Sequence, residues 1–254
     1  MKYFLLLFFP FILFAQTPLE KGLEIVQKVR LLNKGYGSEK SSMKMILIDA
    51  YGVKTEREME GKVFEVKNDG DKSISLFLNP LDVKGVKMIT WSHKEDDDDQ
   101  WLYLPSLKRV KRISSSGQSA SFMGSEFSFE DLGSQELEKF VHKWLRDEKI
   151  LGEDIWVIER TPKRKSSYSK EIIFMSQNKM NPLKIEYYDR KEQLLKIAEF
   201  FDYKLFKING KDVWKANKIV MKNIQTKKES QFIWNTRDFN VKFSESEFDS
   251  TSLL

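Results

Sequence analysis

The side chains able to do covalent or metal chemistry are few and scattered. There are two histidines, His93 beside an acidic run and His142 further on, and they share no His-x-x-x-His or Cys/His spacing of the kind that holds a metal. Cysteine is absent, which removes thiol nucleophiles and disulfides together. Ser115-Ser116-Gly117 lacks the strand-to-helix setting that strains a serine outward, and no glycine-rich phosphate loop precedes a helix. Glu95 to Asp99 is a run of acids without the spacing, the bend glycine or the distal Glu of a calcium loop, so a solvated hairpin tip explains it. Glu130-Asp131 could do acid–base work, but acids ahead of a helix more commonly complement its dipole. The expectation is a protein that is not an enzyme and carries no cofactor and no metal.

Cationic residues gather in Lys108-Arg109-Val110-Lys111-Arg112, which as a strand would send Lys108, Val110 and Arg112 to one face and Arg109, Lys111 and Ile113 to the other. Neither face is purely basic, which argues against a nucleic-acid stripe. Protection of a sheet edge, or contact of Arg109 and Arg112 with headgroups or a partner, remain as readings. Lys163 to Lys170 reads as a solvated basic loop.

The elements that position these residues follow from periodicity. Leu19 to Leu32 has one apolar helical face, stopped by Gly35 and Gly37. The period then becomes two. Strands are expected at Ser42–Ile48, Thr55–Lys67, Lys72–Leu78, Val86–Trp91 and Trp101–Leu104, with Asn68-Asp69-Gly70-Asp71 as a turn. Gly133 to Leu145 reads as a second helix through Leu137, Phe140, Val141, Trp144 and Leu145. Six further strands follow, Ile155–Ile158, Glu171–Met175, Leu183–Tyr188, Leu194–Tyr203, Val213–Lys222 and Ser230–Trp234, and the acidic, Ser-rich end from Phe243 is expected to be held loosely.

The fold class is therefore mainly β with helices (α+β): a curved antiparallel sheet of about eleven strands, with the helices laid over its concave face. With 254 residues and 19 Phe, 6 Trp and 8 Tyr, one large core is within reach. Met1-Lys2 and the apolar run Tyr3–Phe14 before Ala15 read as a signal peptide over residues 1–15, too short to span a bilayer, leaving 16–254 as a single domain. One of the 43 basic residues lies in that leader; the remaining 42 against 38 acids leave +4, a mild attraction to anionic surfaces. No Cys follows the leader, so lipid anchoring by that route is not expected.

The organising stretch is Gln100-Trp101-Leu102-Tyr103-Leu104-Pro105-Ser106-Leu107-Lys108-Arg109-Val110-Lys111-Arg112-Ile113, followed after a Ser/Gly-rich passage by Phe122-Met123-Gly124-Ser125-Glu126-Phe127-Ser128-Phe129-Glu130-Asp131-Leu132. It resembles the outer-membrane lipoprotein-sorting protein family, the LolA-like group, in a divergent branch associated with RND/MMPL-type lipid exporters. The resemblance implies a half-open β-barrel with a helical lid and a periplasmic location. It also implies a carrier that takes lipid or lipoprotein acyl chains into an apolar cavity and moves them between inner and outer membrane. The implied partners are such an exporter and an outer-membrane acceptor, with transient membrane contact by a monomer. The residues expected to line cavity and lid are Trp91, Trp101, Tyr103, Leu104, Phe122, Met123, Phe127 and Phe129, with Arg109 and Arg112 near headgroups or a partner. The alternative is a non-catalytic periplasmic adaptor docking on an envelope complex; a solid core would favour the adaptor and an apolar void the carrier.

Overall fold

A computed structural model describes residues 16–253, and the expected leader at 1–15 lies outside the described residues. Helix α1 (Pro18–Asn33) starts at a reciprocal cap. The Glu20 amide donates to the Thr17 hydroxyl, the Thr17 amide donates to the Glu20 carboxylate, and Pro18 fills the first helical position, where an N–H is not needed.

Thirteen strands follow: β1 (Ser38–Ile48), β2 (Lys54–Phe64), β3 (Lys72–Asn79), β4 (Lys87–Trp91), β5 (Asp99–Leu104), β6 (Arg109–Ile113), β7 (Phe140–Ile150), β8 (Glu153–Pro162), β9 (Tyr168–Ser176), β10 (Asn181–Asp189), β11 (Leu194–Ile208), β12 (Lys211–Asn223) and β13 (Glu229–Phe239). They form one antiparallel sheet in the order β6-β5-β4-β3-β2-β1-β13-β12-β11-β10-β9-β8-β7. Two meanders thus meet where β1 pairs with β13, in a register that sets Met43 opposite Trp234 and Met45 opposite Phe232.

The sheet is strongly curled. Phe129 accepts at its carbonyl from Gln100 Nε2 on β5, while the adjacent Ser128 hydroxyl lies 3.0 Å from the Tyr168 hydroxyl on β9. In a flat sheet, strands nine places apart would lie roughly 40 Å away from each other, so two neighbouring residues could not reach both. Alternation then sends one set of side chains inward. Met45, Met59, Phe77, Met88 and Leu102 from one half meet Ile158, Ile173, Ile185 and Met221 from the other in one continuous core, joined by Ile25 and Val26 of α1. The helix rests on β7 so closely that a Cβ at Gly22 would lie 2.7 Å from the His142 carbonyl oxygen, and only glycine fits there.

Three expectations change. The sheet has thirteen strands rather than about eleven, since Arg109–Ile113 and Phe140–Ile150 also pair. The second of these overturns the helix expected at Gly133–Leu145. Phe140, His142 and Trp144 also alternate, and pairing with β8, which sets Val141 opposite Thr161 and Trp144 opposite Ile158, outweighs the helical spacing. Only a short 3-10 turn at Leu137–Lys139 remains, so α1 is the single α-helix among the described residues. The C-terminal passage is not loose either. Its turns Glu245–Phe248 and Ser250–Leu253 bury Phe248 and Leu253 against the outer face of the sheet, beside Ile74 and Ile89.

Candidate functional site

The segment from Phe122 to Leu132 lies inside the curl. Ser121 and Ser128 pair as an isolated bridge, folding the segment on itself, and Phe122, Phe127 and Phe129 are buried. Its backbone is held from both halves of the sheet. Arg57 of β2 donates to the Met123 carbonyl, the Glu126 amide donates to Ser230 of β13, and Lys196 of β11 donates to the Glu126 carbonyl. Lys196 also forms a 2.6 Å ion pair with Asp131 in which both side chains are only 5% exposed, and the Tyr168 hydroxyl donates to the same carboxylate. Two charges taken this far from water persist only as a satisfied pair. Burial, followed by the Asp131 charge, raises the Tyr168 hydroxyl well above the ordinary tyrosine range, so it stays a donor.

This segment fills part of the concavity and leaves part open. Beside it is a cavity of about 400 Å³, walled by β1, β2, β3, β11, β12 and β13 and bounded by Phe127, Asp131 and Leu132 of the inserted segment. Such a volume is in the range of ~300–1,000 Å³ typical of small-molecule sites. The walls are graded along the strands. On β1 the lining runs from Glu39 and Ser41 to Met43, on β13 from Arg237 to Trp234 and Phe232, and on β12 from Lys215 to Ile219. One end is therefore charged and the other apolar, where Phe200 and Phe127 close it with Phe232.

At the charged end the Glu39 carboxylate and the Arg237 guanidinium form a buried pair, and Arg237 also donates to Asn217 and to the Ala216 carbonyl while lying 4.5 Å from the Trp234 ring centroid. Lys215 reaches over the Tyr36 ring, its Nζ 4.4 Å from the centroid. Burial pushes its ammonium below the ordinary lysine value. Gly61 forms part of the wall because a Cβ there would meet the Met43 side chain at 2.5 Å.

Two other depressions have different linings. A groove of about 640 Å³ between the start of α1 and β7 exposes Leu19, Leu23 and Val141, and one of about 660 Å³ at the acidic hairpin is lined by Asp96 to Asp99, Arg112 and Arg164. Neither shares a lining residue with the cavity beside Phe127. Among the described residues no group of His, Cys, Asp and Glu could hold a metal, and no helix is long and apolar enough to cross a membrane.

The residues singled out from the sequence fall into separate places. Phe127 lines the cavity; Phe122, Phe129 and the half-buried Met123 and Leu104 pack in the inner core next to it. Trp91, Trp101 and Tyr103 point to the other face. The register that pairs Ile74 with Ile89 and Ile89 with Trp101 carries them outward, where they meet Phe248, and the Trp91 indole donates to the Phe248 carbonyl at 2.7 Å. Arg112 pairs with Asp99, which also faces His93, while Arg109 is exposed at the edge strand β6. Neither arginine lines the cavity.

The cavity walls that sequence reading passed over are Met43, Phe200, Lys215, Ile219, Phe232 and Trp234. A signal was present. In Val213-Trp214-Lys215-Ala216-Asn217-Lys218-Ile219-Val220-Met221 alternate positions fall on the inner face, and two of them, Lys215 and Asn217, are polar in an otherwise apolar row.

Comparisons with known proteins agree with this geometry. A family model described only as uncharacterized protein-like matches residues 69–254. A crystal structure described as an outer-membrane lipoprotein-sorting protein domain from Vibrio parahaemolyticus is 42% identical, superposes with a TM-score of 0.89, and the match covers 92% of this chain and 98% of that one. A DUF1329 family protein from Desulfovibrio piger is 25% identical with a TM-score of 0.87 over 94% of this chain and 100% of that one. A LolA superfamily protein from Nitrosomonas europaea, 18% identical with a TM-score of 0.70 over 91% and 98%, shares the fold. No curated protein matches the chain.

Proposed function

The chain belongs to the outer-membrane lipoprotein-sorting protein family, and from that premise we propose that it is a periplasmic carrier whose cavity holds the acyl chain of a lipid or lipoprotein. The observation that carries this reading is the open cavity of about 400 Å³ beside Phe127, Phe200, Phe232 and Trp234, next to the inner core. The space opens to solvent, so water can fill it when no ligand is bound, and its apolar walls favour an acyl chain over that water. Each methylene placed there gains about 0.8 kcal/mol, and a chain of about 16 carbons offers on the order of 12 kcal/mol before ordering costs.

The leader at residues 1–15 would deliver the protein to the periplasm, with residues 16–254 acting as one domain. Arg109 and Arg112, both exposed on β6 although Arg112 also pairs with Asp99, are the cations proposed to touch a membrane or an exporter of the RND/MMPL type. No step in this work requires bond making. An adaptor function would make no use of the void, and filling the void separates the two readings.

The test is Ile219→Trp, which adds bulk from β12 into the open space. Titration with a fluorescent fatty acid should show binding by the wild type and at least ~10-fold weaker binding by the variant, at a stability within about 1.5 kcal/mol of the wild type. Equal uptake by both proteins, or none by the wild type, rules the cavity out as the acyl site.

A further inference from the structure

Resting on the carrier reading, the geometry points to a second recognition element in the cavity: Lys215 is a charge anchor for an anionic head, so that the ligand is an acidic amphiphile bound with its carboxylate or phosphate against β12 and its chain toward Phe232.

The charged end of the cavity holds two cations on adjacent strands. Arg237 is satisfied by Glu39, Asn217 and a backbone carbonyl. Lys215 differs. Among the described residues it has no carboxylate within ion-pair distance and no hydrogen-bond acceptor, only the Tyr36 ring at 4.4 Å. The carboxylates whose charge reaches it are already engaged: Glu39 by Arg237, Asp71 by Lys34 at 3.3 Å, and Glu65 by the Gly35 and Gly37 amides at 2.7 and 2.9 Å. Half-buried in the cavity wall, Lys215 gives up part of its hydration without gaining a partner, and that burial holds its ammonium below the usual value. An incoming anion would supply the missing acceptors.

The gradient of the walls fixes the ligand's direction. From Lys215 the row on β12 continues to Ile219, and from Arg237 the row on β13 continues to Trp234 and Phe232. A neutral chain would find no use for the first part of this path. An anion without a chain would leave the second part empty. The amphiphile uses both.

The experiment uses the mature protein, a polyene fluorescent fatty acid and the methyl ester of the same acid. The wild type is expected to bind the acid at least ~10-fold more tightly than the ester, the increment of a charge-assisted contact. In Lys215→Met the preference should collapse to within about twofold, the ester binding as in the wild type. Millimolar acetate or inorganic phosphate should displace neither probe. Equal binding of acid and ester by the wild type overturns the anchor while leaving the acyl cavity standing, and needs no variant to be read. Displacement of the acid, but not the ester, by inorganic phosphate alone would make Lys215 a small-anion site and overturn the amphiphile. Binding of neither probe removes the carrier reading and the anchor together.

Discussion

Two aromatic clusters lie on opposite faces of the same sheet, and they have opposite fates. On the outer face Trp91, Trp101 and Tyr103 gather with Phe64 around Phe248 and Leu253, which the chain's own last residues press into place. Salt bridges from Lys62 to Glu247 and from Lys72 to Glu245, and a bond from Lys87 to the Ser252 carbonyl, fasten that cover. On the inner face Phe127, Phe200, Phe232 and Trp234 are brought together in the same way, by strand alternation, yet the inserted segment stops short and leaves a cavity. An apolar strand face therefore says that something must cover it; whether the chain supplies the cover decides between structure and site.

The sharpest way to break this contrast is to remove the outer cover. Phe248 is fully buried, so Phe248→Ala should cost about 3–5 kcal/mol of stability, read as a lowered urea midpoint, because the void on the outer face cannot close. The folded fraction should take up fatty acid as before. Loss of uptake at unchanged stability would reverse the roles of the two faces.

A smaller effect comes from the inner rim. His142 on β7 is buried with its Nδ1 unsatisfied, and burial, with Arg160 and Lys163 adding to it, lowers its pKa to about 4 from the ordinary value of 6.5. The unfolded chain therefore takes up a proton at this site before the folded protein does. Stability from this group is complete above about pH 6.5 and is lost as the pH falls toward about 4, by about 3 kcal/mol over the whole window. Urea midpoints across this range should fall with acidity in the wild type and fall less in His142→Gln. Identical pH profiles for the two proteins would show that the imidazole does not titrate as its burial requires.

Much of the sheet was legible in the sequence because period-two alternation in Met43-x-Met45 or Phe232-x-Trp234 survives any tertiary context. The family resemblance extended the same reading to a curled half-barrel. Phe140–Ile150 misled because its apolar residues satisfy both periods, and only its neighbour β8 decides between them. The site was less legible. Trp91, Trp101 and Tyr103 alternate correctly as a strand, but which face of β4 and β5 turns inward depends on the register with β3, and that cover by the tail comes from residues more than a hundred positions later. Lys215 carries no local signal beyond being a charge at an inward position. It becomes meaningful only once Glu39, Asp71 and Glu65 are seen to be occupied by other partners.

The claim that acyl chains enter the inner cluster and not the outer one is tested most directly by quenching tryptophan fluorescence with a brominated fatty acid. Quenching should be present in the wild type, persist in Trp91→Phe, and fall sharply in Trp234→Phe. Full quenching in Trp234→Phe with loss in Trp91→Phe would place the ligand under the C-terminal cover and contradict the account.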